Sequence, residues 1–344
     1  MDRKDTLIVM CSPNLRLMSA KRAIGSLKAT DMSRAELILI DNCYDKGFSH
    51  PVVLNKMLKI AARRNKNMIL LDDDIEVYDY HWIQRMYDVS ERLNAAVVGC
   101  VNIFEDGTIN NAGHFVDSDG FYESMSDFMH DSNEIIDNAA YVPTVCSATM
   151  LIRDCESFYF DTKYIKETHD LDLCIQAWYT GKRVACALDL KVIHHHGYIA
   201  RNNPDYNTVY YHDCAHFSRK WSDFMPYLTD VPQLRQYKKH GEKNTWTDYY
   251  FRATRMKLID KQRAIEMFKR IATDCYNERT RANACFHLYQ IEEDQSLLQQ
   301  CLQANPCHRS AAQQWSRLTG VDYRPLSSCR YNVFNCKRCY LRAP

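Results

Sequence analysis

The run Met68-Ile69-Leu70-Leu71 ends abruptly in Asp72-Asp73-Asp74, followed by Ile75-Glu76-Val77. Four apolar residues in succession predict a strand buried on both faces. Three adjacent carboxylates at its end repel one another. At separations of ~4–6 Å in a partly desolvated cleft they become favourable only beside a cation or a donor-rich partner. Hard oxygen ligands select Mg2+ or Mn2+. An isolated acidic triplet also fits a solvated loop after a strand, so the metal reading depends on what else the chain brings to the same place.

The elements that would position these residues alternate between strand and helix. Thr6 to Met10 is apolar and β-branched, and Ser12-Pro13-Asn14 turns it into a helix with apolar spacing through Met18, Ala23, Ile24 and Leu27. Glu36 to Ile40 predicts the next strand, ending in Asp41-Asn42, and Val52 to Ala62 the next helix before the strand at Met68. Trp82, Met86 and Leu93 have helical spacing, and Ala95 to Val101 is a further strand. Such alternation predicts an α/β domain with a mostly parallel sheet and helices on both faces, with ligands bound at the carboxyl ends of the strands. Asn14, Asp41 and Asp72 to Asp74 all follow strands, so topology delivers them to one edge.

Residues 102 to 141 are polar and irregular, with turn signals at Asn110-Asn111-Ala112-Gly113-His114 and Asp117-Ser118-Asp119-Gly120. A long irregular stretch inside an α/β domain is usually functional. Tyr141 to Arg153 then reads as a strand. Thr168-His169-Asp170-Leu171-Asp172-Leu173-Cys174 opens a helix that Thr168 or Asp170 can cap, with Leu171, Cys174, Ile175 and Trp178 as its buried stripe and Gly181 as its stop. The strands Arg183 to Ala187 and Leu190 to Ile193 lead into His194-His195-His196-Gly197.

The ordered set Asn14, Asp41-Asn42, Asp72-Asp73-Asp74, Gly113, His169-Asp170-Leu171-Asp172-Leu173-Cys174 and His194 resembles glycosyltransferase family 2, over roughly residues 5 to 200. The resemblance implies a GT-A fold and an inverting, metal-dependent transfer from a nucleotide-diphosphate sugar, UDP- or dTDP-linked. The acceptor would be a hydroxyl of a glycan, a lipid-linked molecule or a protein. By resemblance Asp74 and His194 hold Mn2+ or Mg2+, and Asp72 and Asp73 lie on the donor side, Asp72 at the ribose or at the metal through water. Asn14 and Asp41 match the contacts to the nucleotide base and ribose. Asp170 matches the general base, and Asp172 reads as structural. Three departures stand out: His169 replaces the usual acid before the base, Gln176 stands where arginine is frequent, and Ser147 where glycine is frequent.

The physical chemistry agrees with this set. Breaking a glycosidic bond to a pyrophosphate builds negative charge that a divalent ion stabilises as it develops. The acceptor hydroxyl needs a base on the opposite face of the sugar. Two other readings compete. A nucleotidyltransferase or sugar-phosphate hydrolase could use the same carboxylates, but Ser12-Pro13-Asn14-Leu15-Arg16 replaces the Gly-rich phosphate loop such enzymes place after the first strand. A non-catalytic scaffold with a relic sugar-nucleotide domain is countered by intact Asp72, Asp74, Asp170 and His194.

The chain has 344 residues, enough for a catalytic domain and a smaller second one, and 46% hydrophobic with 25% charged residues is a globular composition. The expected division is residues 1–235 catalytic, 236–320 helical and tetratricopeptide-like, and 321–344 a basic tail. Small residues at Ala282, Ala284, Ala311 and Ala312 fit helix pairs, which either bind a protein partner or cover the catalytic domain. A net charge of +1 predicts no nucleic-acid partner. Fifteen cysteines, several inside apolar patterns, point to reduced thiols in the cytoplasm, and no run is long enough for a signal peptide or a membrane span. The basic tail allows a peripheral membrane contact, and Cys329, Cys336 and Cys339 allow a zinc site completed by Cys307 or His308.

Overall fold

The computed structural model describes residues 5–43, 47–116, 122–125, 136–195, 206–237, 246–257, 260–276, 278–306 and 308–321. The tail cysteines, Cys307, His196 and part of the irregular stretch lie outside these residues. The chain divides into two compact units after Gly241.

The first unit opens with β1 (Thr6–Ser12), α1 (Met18–Lys28), β2 (Ala35–Asp41), α2 (His50–Arg63), β3 (Asn67–Asp72) and β4 (Ile75–Val77). It continues through α3 (Trp82–Arg92), β5 (Val97–Ile103), β6 (Ile109–Asn111), β7 (His114–Val116), β8 (Tyr122–Ser124), β9 (Ala139–Tyr141) and β10 (Thr149–Ile152). It then runs α4 (His169–Tyr179), β11 (Val184–His194) and α5 (Tyr206–Lys220). Nine strands form one sheet in the order β2-β1-β3-β10-β5-β11-β4, with β6 beside β5 and β9 beside β11.

Period-two alternation along β1 sends Leu7 and Val9 to one core and Ile8 and Met10 to the other. Leu54 and Leu58 of α2 and Leu171, Cys174, Ile175 and Trp178 of α4 fill the first core. Ala23 and Leu27 of α1 and Trp82, Ile83 and Met86 of α3 fill the second. The sheet is therefore covered on both faces, each fully buried Leu or Ile contributing about 1.5–3 kcal/mol. Cys100, Cys155, Cys174 and Cys186 are buried as thiols.

Strand direction departs from a mostly parallel sheet. β1 runs parallel to β2 and β3, and β5 parallel to β11, but β10 lies antiparallel between β3 and β5, and β4, β6 and β9 are antiparallel to their neighbours. A doubly buried strand carries the same apolar run in either direction, so the sequence pattern does not reveal the reversal. The expected strand from Tyr141 to Arg153 is two, β9 and β10. Pro143, which lacks an N–H, stands in the gap between them. The two strands expected before His194 are one, β11, irregular in its pairing with β5 between Ala187 and Lys191.

The second unit is helical: α6 (Trp246–Met256), α7 (Lys261–Asp274), α8 (Glu278–Glu292), α9 (Gln295–Ala304) and α10 (Arg309–Thr319). Ala264, Met267, Phe268 and Ile271 form the buried stripe of α7 at helical spacing. Ala282, Cys285, Leu298, Cys301, Leu302, Ala311 and Ala312 make a small core shared by α8, α9 and α10. Asp260 caps α7 by accepting from Arg263 N, Asp294 caps α9 through Ser296 N, and Gly320 ends α10 at φ 71°. No helix among the described residues is long and apolar enough to cross a membrane.

Candidate active site

Register explains how the acids meet. Ser12 pairs with Asp41 across β1 and β2, and Cys11 with Asp72 across β1 and β3, so three strand ends reach one edge of the sheet. The chain turns through Asp73 and Asp74 and re-enters as β4, which pairs antiparallel with the end of β11, setting His194 opposite Ile75. The His195 backbone N–H donates to the Asp74 carbonyl at 3.0 Å and extends this ladder. A three-residue strand thus joins the acidic turn to a histidine more than a hundred residues away.

One ligand atom each from Asp72, Asp74 and His194 lies within 4.8 Å of the others. His194 Nε2 stands 3.3 Å from Asp74 Oδ1, with the histidine buried and the aspartate 15% exposed. Burial raises the Asp72 pKa to about 6, with the Asp74 charge adding to it and His194 and Lys166 opposing. Burial acts to lower the pKa of His194, but Asp74 and Asp72 outweigh it and hold the imidazole above its ordinary value. Two carboxylates and an imidazole, crowded and short of positive charge, fit a hard divalent cation. Its binding would displace the His194 proton, so affinity should rise with pH.

Asp73 turns to another task. Its Oδ2 accepts from the Ser12 hydroxyl at 2.6 Å, tying the end of β1 to the acidic turn. Asn14, half-buried in the turn after β1, accepts from Arg16 N at 2.9 Å, and Asp41, exposed, accepts from Cys43 N at 3.0 Å. Both make Asx turns that fix the loops flanking the strand ends. Beyond β4, His195 bridges Glu76 and Glu105, with 2.6 Å from Nε2 and Nδ1 respectively.

Asp170 is 7% exposed, and both its oxygens accept backbone N–H groups at 2.9 Å, Oδ2 from Ser147 and Oδ1 from Leu171. Since Ser147 contributes its amide, serine satisfies a position where glycine was expected. The residue that precedes α4 is Thr168, left-handed at φ 56° and making no side-chain cap, so of the two expected candidates, Thr168 and Asp170, the first does not cap the helix. His169 is 4% exposed and packs edge-on against His50 at 4.9 Å. Burial holds its pKa below the ordinary value, so it brings no positive charge to Asp170 at neutral pH.

Asp172, fully buried, accepts from Tyr164 Oη, Trp221 Nε1, Gln176 Nε2 and Lys220 Nζ at 2.7–3.1 Å. It is structural, and Gln176, which also donates to the Tyr159 carbonyl at 2.9 Å, belongs to the same network. Gly113, at φ 104°, lies where a Cβ would come within 2.8 Å of Met125 Cε and 3.1 Å of the Thr144 carbonyl, so both conformation and space require glycine.

Two residues of this neighbourhood escape the sequence reading. Glu167, half-buried, has its pKa raised to about 7 by burial, with Asp170, Asp213 and Asp72 adding to that rise and Lys166 opposing. Asp213 of α5, fully buried, accepts from the consecutive amides of Ile165, Lys166 and Glu167. The acid at 167, three before Asp170, was the available signal for the first; the pairing of Asp213 with a loop some forty-six residues earlier gave none.

No family model matches this chain. It is 27% identical over 167 residues to the O-antigen biosynthesis protein RfbC of Myxococcus xanthus, a match covering 46% of this chain and 13% of that protein. The chain therefore spans about an eighth of the curated relative it resembles. Among solved structures, that of GalNAc-T7 with UDP, GalNAc and Mn2+ superposes at a TM-score of 0.47 with 14% identity, covering 70% of this chain and 55% of that one. A197 from STIV superposes at 0.35 with 12% identity, covering 55% and 84%. With both scores below 0.5, neither likeness bears on what this chain binds.

Proposed function

We propose that the chain is a metal-dependent glycosyltransferase of GT-A type that moves a sugar from a nucleotide diphosphate to an acceptor hydroxyl with inversion. The observation that carries this reading is the convergence of Asp72, Asp74 and His194 at the carboxyl edge of the sheet, where α/β sheets bind ligands. The partial likeness to a protein named for O-antigen biosynthesis supports it and favours a glycan or lipid-linked acceptor.

Asp72, Asp74 and His194 would hold Mn2+ or Mg2+, which when bound supplies positive charge to the pyrophosphate leaving group. Asn14 and Asp41 flank the donor side, where Asp41, with Oδ1 engaged by Cys43, offers Oδ2 to a base or ribose donor. Asp73, pinned by Ser12, keeps the acidic turn in place. Asp170, oriented by two amides and carrying one remaining lone-pair site on each oxygen, receives the acceptor proton. The helical unit, in this reading, is where a protein partner would dock.

A thermal-shift screen of UDP, dTDP, GDP and CDP, each with Mn2+, tests the reading, since a bound ligand raises the melting temperature by mass action. A metal-dependent shift with one of them, followed by hydrolysis or transfer from its sugar conjugate, is expected. No shift with any nucleotide and no turnover of any sugar conjugate would sink it.

A further inference from the structure

Successive side chains of an extended segment point to opposite faces, so where His194 turns to Asp74 at the end of β11, His195 turns away from it. On that side each of its ring nitrogens lies 2.6 Å from a carboxylate oxygen, Nε2 from Glu76 Oε1 and Nδ1 from Glu105 Oε1. His195 and Glu76 are half-buried, and Glu105 is exposed. Glu76 is itself held: the Tyr78 hydroxyl donates to its Oε2, and Arg22 Nε stands 3.5 Å from its Oε1. Glu105 sits on the closed turn between β5 and β6. There the Phe104 N–H donates to the Thr108 carbonyl, the Gly107 N–H to the Phe104 carbonyl and the Thr108 N–H to Asp106 Oδ1, each at 2.9 Å. The His195 backbone N–H is engaged at the same time by the Asp74 carbonyl at 3.0 Å. One residue therefore holds the acidic turn through its backbone and two further segments through its ring.

We propose that His195 is a positioning residue of the metal site: gripped by Glu76 and Glu105, it fixes the aim at which His194 and Asp74 meet a divalent ion. The inference rests on the metal reading given above for Asp72, Asp74 and His194. Asp74 leads into β4 and His194 ends β11, and the pairing of these two strands covers three residues. So short a ladder leaves the end of β11 free to roll about its own axis, which would swing the His194 ring away from Asp74. With the His195 ring clamped between β4 and the β5–β6 turn, that roll breaks a hydrogen bond at each ring nitrogen. Groups that orient metal ligands from outside the coordination sphere contribute about 10–100-fold to metal affinity. His195 would act in this way through the backbone it shares with His194, without itself touching the ion.

The test titrates Mn2+ into the full chain without donor or acceptor and reads the free ion by electron paramagnetic resonance, with metal-free melting curves to establish that each variant is folded. His195→Ala should weaken Mn2+ binding by about 10–100-fold. Glu105→Ala, at an exposed position, should weaken it by roughly two- to fivefold. In a His195→Ala background Glu105→Ala should add nothing, since its effect passes through the ring. Glu105→Gln, which keeps a side-chain oxygen to accept from Nδ1, should bind the ion as the wild type does. A folded His195→Ala within about twofold of the wild-type affinity would overturn the proposal. A Glu105→Ala loss that persists in full without His195 would do the same, because it would come from the charge of Glu105 alone. If His195→Ala does not fold, the Glu105 variants decide, and equal affinities in Glu105→Ala and Glu105→Gln overturn the grip. If the wild type binds no Mn2+, the metal reading falls and takes the positioning role with it; if the wild type binds the ion and the variants bind it equally well, only the positioning role falls.

Discussion

Asp161, Asp172 and Asp213 are met by donors, whereas Asp72 and Glu167 have other acids among their nearest charges. Asp172 has four donor side chains, Asp213 three consecutive amides, and Asp161 the His216 ring at 3.0 Å and Lys220 at 3.1 Å. Burial works to raise the Asp161 pKa, but the Lys163 N–H, with the His216 and Lys220 donors, holds it down to about 2. Asp72 and Glu167 go in the opposite direction, to about 6 and about 7. A buried acid whose donors are already in place belongs to the scaffold, and one left short of donors is poised for a ligand or a proton.

The sharpest way to break this contrast is to exchange the expected consequences. Asp172→Ala should cost about 3–5 kcal/mol of stability, because Lys220, Trp221, Tyr164 and Gln176 lose a shared acceptor in a buried network. Denaturant unfolding measures it, and a loss under ~1 kcal/mol would mean that the network is not structural. Asp170→Asn should bind nucleotide and lose ~10²–10⁴-fold in transfer rate, with a stability cost of about 1–3 kcal/mol because its amide nitrogen meets one of the Ser147 and Leu171 N–H groups that the two carboxylate oxygens accept. Anything under about tenfold would leave Asp170 with only its role of accepting the Ser147 and Leu171 amides. Asp74→Ala should lose about 10²-fold in metal-supported rate without loss of stability, since the variant removes an acid from a crowded cluster. Wild-type turnover with Mn2+ would remove Asp74 from the metal site.

The smallest effect sharpens the comparison by pH. Asp72 and Glu167 have pKa values raised above the unfolded range near ~4, so between that range and their folded values the folded chain retains protons that the unfolded chain has released. Their contribution to stability is present below about pH 4 and lost as pH rises through about 6 to 7. His50, His114, His169 and His287, whose pKa values burial lowers, act in the opposite direction over the same window. The effect is therefore read as the stability difference between the wild type and Asp72→Asn, which without divalent metal should move against the wild type by roughly 1–3 kcal/mol as pH rises and be reversed by Mn2+. Melting curves of both proteins in metal-free and Mn2+ buffers decide it; a metal-free difference that stays constant across the window contradicts the crowding of Asp72.

The order of elements through α4 was legible in the sequence because apolar spacing declares strands and helices locally. The acids at the strand ends followed from that order. What was not legible depends on pairings between distant segments. β10 enters the sheet reversed, and nothing in Thr149 to Ile152 distinguishes the two directions. That Asp73 faces Ser12 while Asp72 and Asp74 face His194 is decided by a turn and the three residues of β4, too short to leave a periodic signal. Glu167 drew no notice because its raised pKa comes from burial and from acids that only the folded chain brings near.

The grip of α5 on the chain before α4 sets a lower limit on any expressible fragment. The residues that suggest chemistry run only from Asn14 to His194, and a truncation placed just after them would look conservative on paper. Such a fragment would lack Asp213, and with it the acceptor for the amides of residues 165 to 167, and would lack the Lys220 and Trp221 donors to Asp172. Any shortened version meant to retain the site has to extend beyond Tyr237, because Met225, Leu228, Leu234 and Tyr237 are also buried in the first core. A library of nested deletions should therefore show an abrupt boundary in recoverable folded protein there, well downstream of His194, the last residue of the proposed site.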